Sequence, residues 1–432
     1  MKILIKSGRI INPSDGTDKI CDLLIKGSQV ELIAENITEK ADRVIDASGM
    51  WVVPGFIDLH VHLREPGFEY KETIKSGSMA AAAGGYTTIC CMPNTKPAID
   101  SPMMIEYVKL KAEKEAVVNV LPIGAVTLGQ KGEELADIEK MALKGACAIS
   151  EDGKSVENAF LLKEGMLLAK KAGIPVLSHC EDKSLVNGGC MNEGKIADNL
   201  SLKGISNDSE DVIVSRDILI AESTGARLHI CHMSTKGSVM LLKAARERGV
   251  NVTGEITPHH FTLSDSVVDG ADTNTKMNPP LRSEKDVEAL KNALKNDKEG
   301  ALVIATDHAP HSAEEKSRPY PSAPFGIVGS ETAFALASTE LYHGGYLTAK
   351  ELIEKMSVNP AKILGIKKGD ISVGNIADIA IVDPEKEFVV DKEKFFSKGK
   401  NTPFNGYKAK GAVEYTIVGG KIVFEKGKIN DN

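Results

Sequence analysis

His60 and His62 flank Val61 at the close of the apolar run FIDLHVH. Side chains at i and i+2 of a β-strand project from the same face, so both imidazoles can reach one metal ion. By itself an H-x-H pair is as readily two hydrogen-bonded histidines. Four later apolar runs also finish in residues of ligand type: Asp152 in ACAISED, His179 in PVLSHCE, His232 in RLHICHMS and Asp307 in ALVIATDHAPH. All six are nitrogen or oxygen donors suited to zinc.

Such residues reach one another only if the runs that carry them are gathered side by side. Between residues 54 and 365 eight short apolar runs alternate with amphipathic or Ala-rich stretches: 56–62, 87–94, 118–127, 146–152, 175–181, 227–234, 251–260 and 301–311. Strands of this kind separated by helices argue for a parallel sheet buried on both faces, and eight units argue for a closed (β/α)8 TIM barrel. Ser101 before Pro102 marks a helix start, and Gly173, Gly225 and Gly249 mark stops. The two ends read as short strands and turns. Residues 1–53 and 366–432 together predict a small β-sandwich built from both termini beside the barrel.

The C-terminal ends of the barrel strands form one rim, and that rim hosts the active site. Closure makes the last strand the neighbour of the first, so Asp307 is expected beside His60 and His62, with His179 and His232 on the far side. Asp152 is the natural carboxylate between the two groups, with Glu151 as its competitor. Two metals per subunit are predicted, one held by His60, His62, Asp152 and Asp307, the other by Asp152, His179 and His232. Two divalent ions about 3.5 to 4 Å apart share a bridging water and lower its pKa towards about 7, supplying hydroxide at neutral pH.

Composition removes other classes. Lys and Arg total 53 against 60 Asp and Glu, the net charge is -7, and aromatic residues make up 5%. Without a basic block, nucleic acid is not an expected partner. No apolar stretch approaches the roughly 20 residues of a bilayer span, and Met1 opens directly on a strand-like run, which predicts a cytoplasmic location and no membrane association. The seven cysteines lack C-x-x-C spacing and are expected to be buried, reduced thiols.

The motifs H-V-H-L-R-E-P-G, M-P-N-T-K-P, S-E-D-G, S-H-C-E, C-H-M-S, T-P-H-H, K-M-N-P-P-L-R, T-D-H-A-P-H and P-F-G-I-V-G-S-E-T, with N-T-P-F-N-G-Y near 401–407, resemble the type I dihydroorotases of the amidohydrolase superfamily. The likeness spans residues 54 to about 365 in the family's order. Many members of the wider superfamily bridge their metals with a carboxylated lysine on the fourth strand. ACAISEDG has no lysine there, and the nearest, Lys144, precedes Gly145. The type I dihydroorotases resemble this chain in using an aspartate instead.

The resemblance implies reversible interconversion of N-carbamoyl-L-aspartate and L-dihydroorotate in pyrimidine biosynthesis, with Zn2+ as cofactor and Asp307 as both ligand and proton shuttle. Arg64 lies two residues past His62, on the same face if the strand continues, and a guanidinium fork suits a carboxylate. By resemblance Arg64, Asn94 and His311 hold the substrate carboxylate and Asn278 contacts the ring. Residues 308–327 form a long loop that is expected to close over substrate. His259, His260 and His308 are expected to orient ligands, while His229 reads as a packed mid-strand residue. Rival readings are a hydantoinase, dihydropyrimidinase or allantoinase on the same scaffold, or a non-catalytic barrel. A homodimer and an association with aspartate transcarbamoylase are compatible with the family.

Overall fold

The computed structural model describes residues 1–430. Five strands come first: β1 (Lys2–Asn12), β2 (Thr17–Lys26), β3 (Gln29–Ala34), β4 (Arg43–Asp46) and β5 (Trp51–Pro54). The eight barrel strands follow. They are β6 (Phe56–Val61), β7 (Tyr86–Cys91), β8 (Asn119–Ala125), β9 (Ala148–Ser150), β10 (Val176–Ser178), β13 (Leu228–Ile230), β14 (Val252–Ile256) and β15 (Leu302–Ile304). A two-stranded ribbon, β11 (Met191–Asn192) and β12 (Gly204–Ile205), interrupts the series.

The barrel strands pair in parallel in the order β15-β14-β13-β10-β9-β8-β7-β6. Every residue of β6 and β7 is buried, which is why these runs are apolar on both faces. The seam between β15 and β6 has no ladder; a single bridge, Val61 to His308, spans it. Asp58 adds to the closure by accepting from the backbone and hydroxyl of Thr306 at 3.1 and 2.6 Å. Several strands are only three residues long. His60 lies within β6, and His62, Asp152, His179, His232 and Asp307 sit just past their strand ends.

Helices pack outside, and their ends follow the sequence signals. Thr73 closes a capping box with Ser76, and Gly173 and Gly225 end helices 159–172 and 208–224 in the left-handed conformation. Ser101 precedes helix 102–115, but its side chain makes no capping bond.

The chain ends with β16 (Ile379–Val389), β17 (Lys408–Val418), β18 (Lys421–Glu425) and β19 (Lys428–Ile429). These join the first five strands in one continuous nine-stranded sheet. The two termini meet where β5 pairs antiparallel with β16, Val52 facing Ile381. The predicted sandwich is thus a single sheet, and it bends where β1 shifts register between Ile5 and Gly8. On one side of that bulge β1 pairs with β4, on the other with β5. Ile3, Ile10, Leu23, Val52, Ile379 and Ile417 from five of its strands fill one shared core.

The loop 308–327 is tied down. The Lys276 ammonium donates to the carbonyls of Tyr320, Pro321 and Ala323 at 2.8, 2.9 and 2.7 Å, and Lys316 donates to those of Pro324 and Gly326, both at 3.1 Å. These two buried lysines, satisfied by backbone carbonyls, fix the path of this segment along the mouth of the barrel. Among the described residues no helix is long and apolar enough to cross a membrane.

Candidate active site

Asp152 stands at the centre of the rim. Its Oδ1 lies 3.3 Å from His60 Nε2, 3.6 Å from His179 Nδ1 and 3.9 Å from His232 Nε2, while Oδ2 lies 3.5 Å from His62 Nε2. Asp307 Oδ1 closes the other side, 3.1 Å from His62 Nε2 and 3.5 Å from His60 Nε2. Glu151, the competitor, points away and accepts from the amides of Val126 and Thr127, both at 3.1 Å. Lys144 is on the outer surface, paired with Glu106 at 2.6 Å. The backbone at Arg64, His232 and Asp307 is left-handed, with φ of 60°, 32° and 48°. Strain of this kind, about 1–3 kcal/mol per residue, collects where side-chain placement is functional.

The donor set fits divalent metal. His60 Nε2, which faces Asp152 and Asp307, is a buried nitrogen without a hydrogen-bond partner, and His179 Nδ1 and His232 Nε2 converge beside Asp152, 2.8 Å from each other. With bonds of about 2.1 Å a tetrahedral shell has ligand-to-ligand edges of about 3.4 Å, which matches the separations around Asp152 and Asp307. His60, His62 and Asp307 form one compact group of donor atoms, and His60, Asp152 and His232 another. Burial alone would raise the Asp152 carboxyl, but His60, His179 and His62 outweigh it and hold it well below the usual range. Asp307 is lowered for the same reason, against burial, by His60 and His62. Both carboxylates are anionic at neutral pH.

The imidazoles are oriented from behind. His60 Nδ1 donates to Glu255 Oε1 at 2.6 Å, and His62 Nδ1 donates to Asn94 Oδ1 at 2.9 Å, so each turns Nε2 to the rim. Glu255 is fully buried on β14 and also accepts from His229 Nε2 at 3.0 Å and from the His232 amide at 3.1 Å. His229 is therefore part of this network as well as a packed residue. Glu255 escaped the sequence reading, although an acid inside the apolar run NVTGEI was a signal for it. His260 bonds Thr257 and the Pro279 carbonyl, and His308 meets Glu72 and the amides of Gly329 and Ser330. Neither side chain bonds a metal-type residue, although the His308 carbonyl accepts from the His62 amide at 2.9 Å. His259 has a buried Nε2 without a partner, and burial and His260 keep its ring neutral.

Nine of the ten residues singled out by sequence line one cavity of about 220 Å3; His60 lies beneath it. Arg64 does not extend the strand, which ends at Val61; its left-handed turn brings the guanidinium to the Pro310 carbonyl at 3.1 Å and within 3.4 Å of His311 Nε2. Asn94 spans the metal-type residues, since its amide also donates to Asp152 Oδ2 at 3.0 Å. Asn278 donates to Glu181 Oε1 at 2.8 Å, and His311 Nε2 to the Phe325 carbonyl at 2.8 Å. Lys71 adds a further cation, 3.4 Å from His311 Nδ1 and 2.8 Å from Glu315. Burial, with Arg64 and Lys71, pushes His311 down to about 2, so the imidazole is neutral.

An eight-stranded parallel barrel whose strand ends gather four histidines and two aspartates defines a barrel hydrolase of the amidohydrolase type. A family model described as "Dihydro-orotase-like" matches residues 49–238, and one described as "Amidohydrolase family" matches residues 324–424. The chain is 52% identical over 429 residues to a dihydroorotase of Caldanaerobacter subterraneus, covering 99% of this chain and 98% of the relative. It is 50% identical over 426 residues to one of Pelotomaculum thermopropionicum, covering 98% and 99%. Among solved structures it is similar to an L-hydantoinase of Arthrobacter aurescens, with a TM-score of 0.88, 27% identity and coverage of 99% and 97%. A dihydropyrimidinase of Brevibacillus agri follows at a TM-score of 0.86, 25% identity and coverage of 99% and 96%. The chain belongs to the dihydroorotase family.

Proposed function

We propose that this protein is a zinc-dependent dihydroorotase of pyrimidine biosynthesis, working in the cytoplasm on a small anionic ring and its opened form. The observation that carries the reading is the junction, at one small cavity, of imidazoles and carboxylates converging on Asp152 with an Arg64 and His311 corner suited to a carboxylate. A metal cluster alone suits any cyclic amidase; the cationic corner selects a ring that bears a carboxylate. Full-length identity of about half to dihydroorotases supports the same choice over the hydantoinases and dihydropyrimidinases that share the fold.

In this reading His60, His62, Asp152 and Asp307 hold one zinc ion, and Asp152, His179 and His232 hold the other. When bound, the pair lowers the pKa of a shared water towards about 7 and polarises the ring carbonyl. Asp307, anionic and beside His60 and His62, accepts the proton of the attacking water and returns it to the ring nitrogen as the C–N bond breaks. Arg64 and His311 hold the exocyclic carboxylate, and Asn278 holds the ring. Asn94 contributes chiefly by fixing His62 and Asp152, with its amide at the cavity edge. In the biosynthetic direction closure turns a dianion into a monoanion plus water and takes up a proton, so lower pH favours the ring.

The test is a steady-state comparison of dihydroorotate with hydantoin, dihydrouracil and allantoin on the same preparation. The reading expects dihydroorotate to be preferred; a better rate on a ring without a carboxylate would replace it with a hydantoinase. A homodimer and association with aspartate transcarbamoylase belong to the same reading and are checked by light scattering with and without that enzyme.

A further inference from the structure

We propose that Asn401, on the segment between β16 and β17, is a positioning residue that sets His311 for the substrate carboxylate; this rests on the dihydroorotase reading. Asn401 is 4% exposed and all of its side-chain capacity is spent on the wall of the cavity. Its Oδ1 accepts from the His311 amide at 3.0 Å, and its Nδ2 donates to the carbonyls of Ala309 at 3.0 Å and Gly326 at 3.1 Å. Its own carbonyl accepts from the Val328 amide at 2.9 Å. An amide offers an acceptor and two donors at once, which hydroxyls and carboxylates do not.

These bonds fix both places from which the His311 ring is held. One is its own backbone. The other is Gly326, held through its carbonyl and next in sequence to Phe325, whose carbonyl accepts from His311 Nε2 at 2.8 Å. The tautomer follows from the partners: a carbonyl can only accept, so Nε2 carries the proton, and the Lys71 ammonium 3.4 Å from Nδ1 can only donate. Arg64 Nη2 and His311 Nε2, two donors 3.4 Å apart, cannot bond each other; the single Nε2–H is directed at the Phe325 carbonyl, and a carboxylate oxygen bound by Arg64 would share that proton as a three-centre bond. There is no slack in the fit. A Cβ at Gly326, where φ is +119°, would lie 2.7 Å from Ala309 Cβ and 3.3 Å from His311 Nε2. A segment remote in sequence from the barrel thereby governs how tightly the carboxylate is bound, without touching it.

The experiment is Asn401→Ala in the full-length, metal-loaded enzyme. KM for dihydroorotate is expected to rise about tenfold with kcat nearly unchanged, the signature of lost binding common to ground and transition states. Adding Asn401→Ala to His311→Ala should raise KM no further, whereas a general structural role would make the two effects multiply. In substrate-free protein the 15N shifts of the His311 ring should report one neutral tautomer with the proton on Nε2, and averaging of the two tautomers in Asn401→Ala. If the alanine variant does not fold, Asn401→Ser carries the same measurements. Unchanged ring shifts and unchanged KM in a folded variant, or full additivity with His311→Ala, would overturn the proposal. Failure of the wild-type enzyme to turn over dihydroorotate would instead overturn the parent reading, while the ring shifts would still report whether Asn401 fixes His311.

Discussion

The two halves of the cavity are built on different plans. The metal-type half draws its six donors from residues at or just past barrel strand ends, held from behind by Glu255 on another barrel strand. The carboxylate corner draws on a turn at Arg64, the loop after β15 and the segment that carries Asn401. The first is fixed by the closure of a sheet. The second depends on side chains and carbonyls that brace one loop against another. On the proposed function, the hydrolytic chemistry would belong to the barrel and the choice of ring to what surrounds its mouth, in keeping with hydantoinases that share the fold at about a quarter identity.

Mutations should separate the two halves. Asp307→Asn is expected to cost about 10^2 to 10^4 in kcat, the range of general acid–base catalysis, while metal analysis still finds the ions. A near-normal kcat would refute the proton role of Asp307. Arg64→Met strikes the other half: losing a charge-assisted fork should raise KM about a hundredfold with metal content unchanged. Glu255→Gln should do the reverse, weakening metal affinity about 10- to 100-fold in a chelator competition and leaving KM of the reloaded enzyme alone. If Arg64→Met released metal, or Glu255→Gln changed only KM, the division into halves would be wrong.

Acid should cost stability at two buried rings in the metal-free state. Burial lowers His260 to about 4, and burial with Arg64 and Lys71 lowers His311 to about 2, against an ordinary value near 6.5. At these rings the unfolded chain binds more protons than the folded one below pH 6.5, whereas Asp58 and Glu331, raised by burial to about 7 and about 8, work the other way, so the effect is read against variants. Each histidine should cost about 2 kcal/mol by pH 5, read as the wild-type urea midpoint falling from pH 6.5 to 5 relative to that of His260→Gln or His311→Gln. His60 and His179 are raised instead, burial being outweighed by nearby carboxylates. Their contribution is common to wild type and variant, so it cancels from the comparison. A wild-type-to-variant difference that stays flat between pH 6.5 and 5 would mean that these rings are not held neutral.

The difference between the halves also governs what the sequence could tell. Ligand-type residues that end apolar runs, such as His179 after VLS and Asp307 after LVIAT, announce themselves because burial tolerates them only with a purpose. Asp152 could be preferred to Glu151 only through the family likeness; in the structure the Val126 and Thr127 amides claim Glu151. Arg64 was legible as a residue but not as a turn, since nothing local reveals its left-handed backbone. The braces were hidden for a different reason. Lys276 and Lys316 are satisfied by backbone carbonyls, which carry no sequence signature, so the way they brace residues 316–326 could not be read from the chain. The single terminal sheet likewise depends on β5 meeting β16 across more than 300 residues, a pairing invisible to local patterns.

The most direct measurement is a titration of Zn2+ into chelator-treated protein, with bound metal and dihydroorotate hydrolysis followed on the same samples. Activity should be absent at the start and rise to a plateau at two equivalents per chain, and the Asp152→Ala variant should not reach that plateau. Undiminished turnover in metal-free protein, or a polypeptide that retains no divalent ion, would contradict the account.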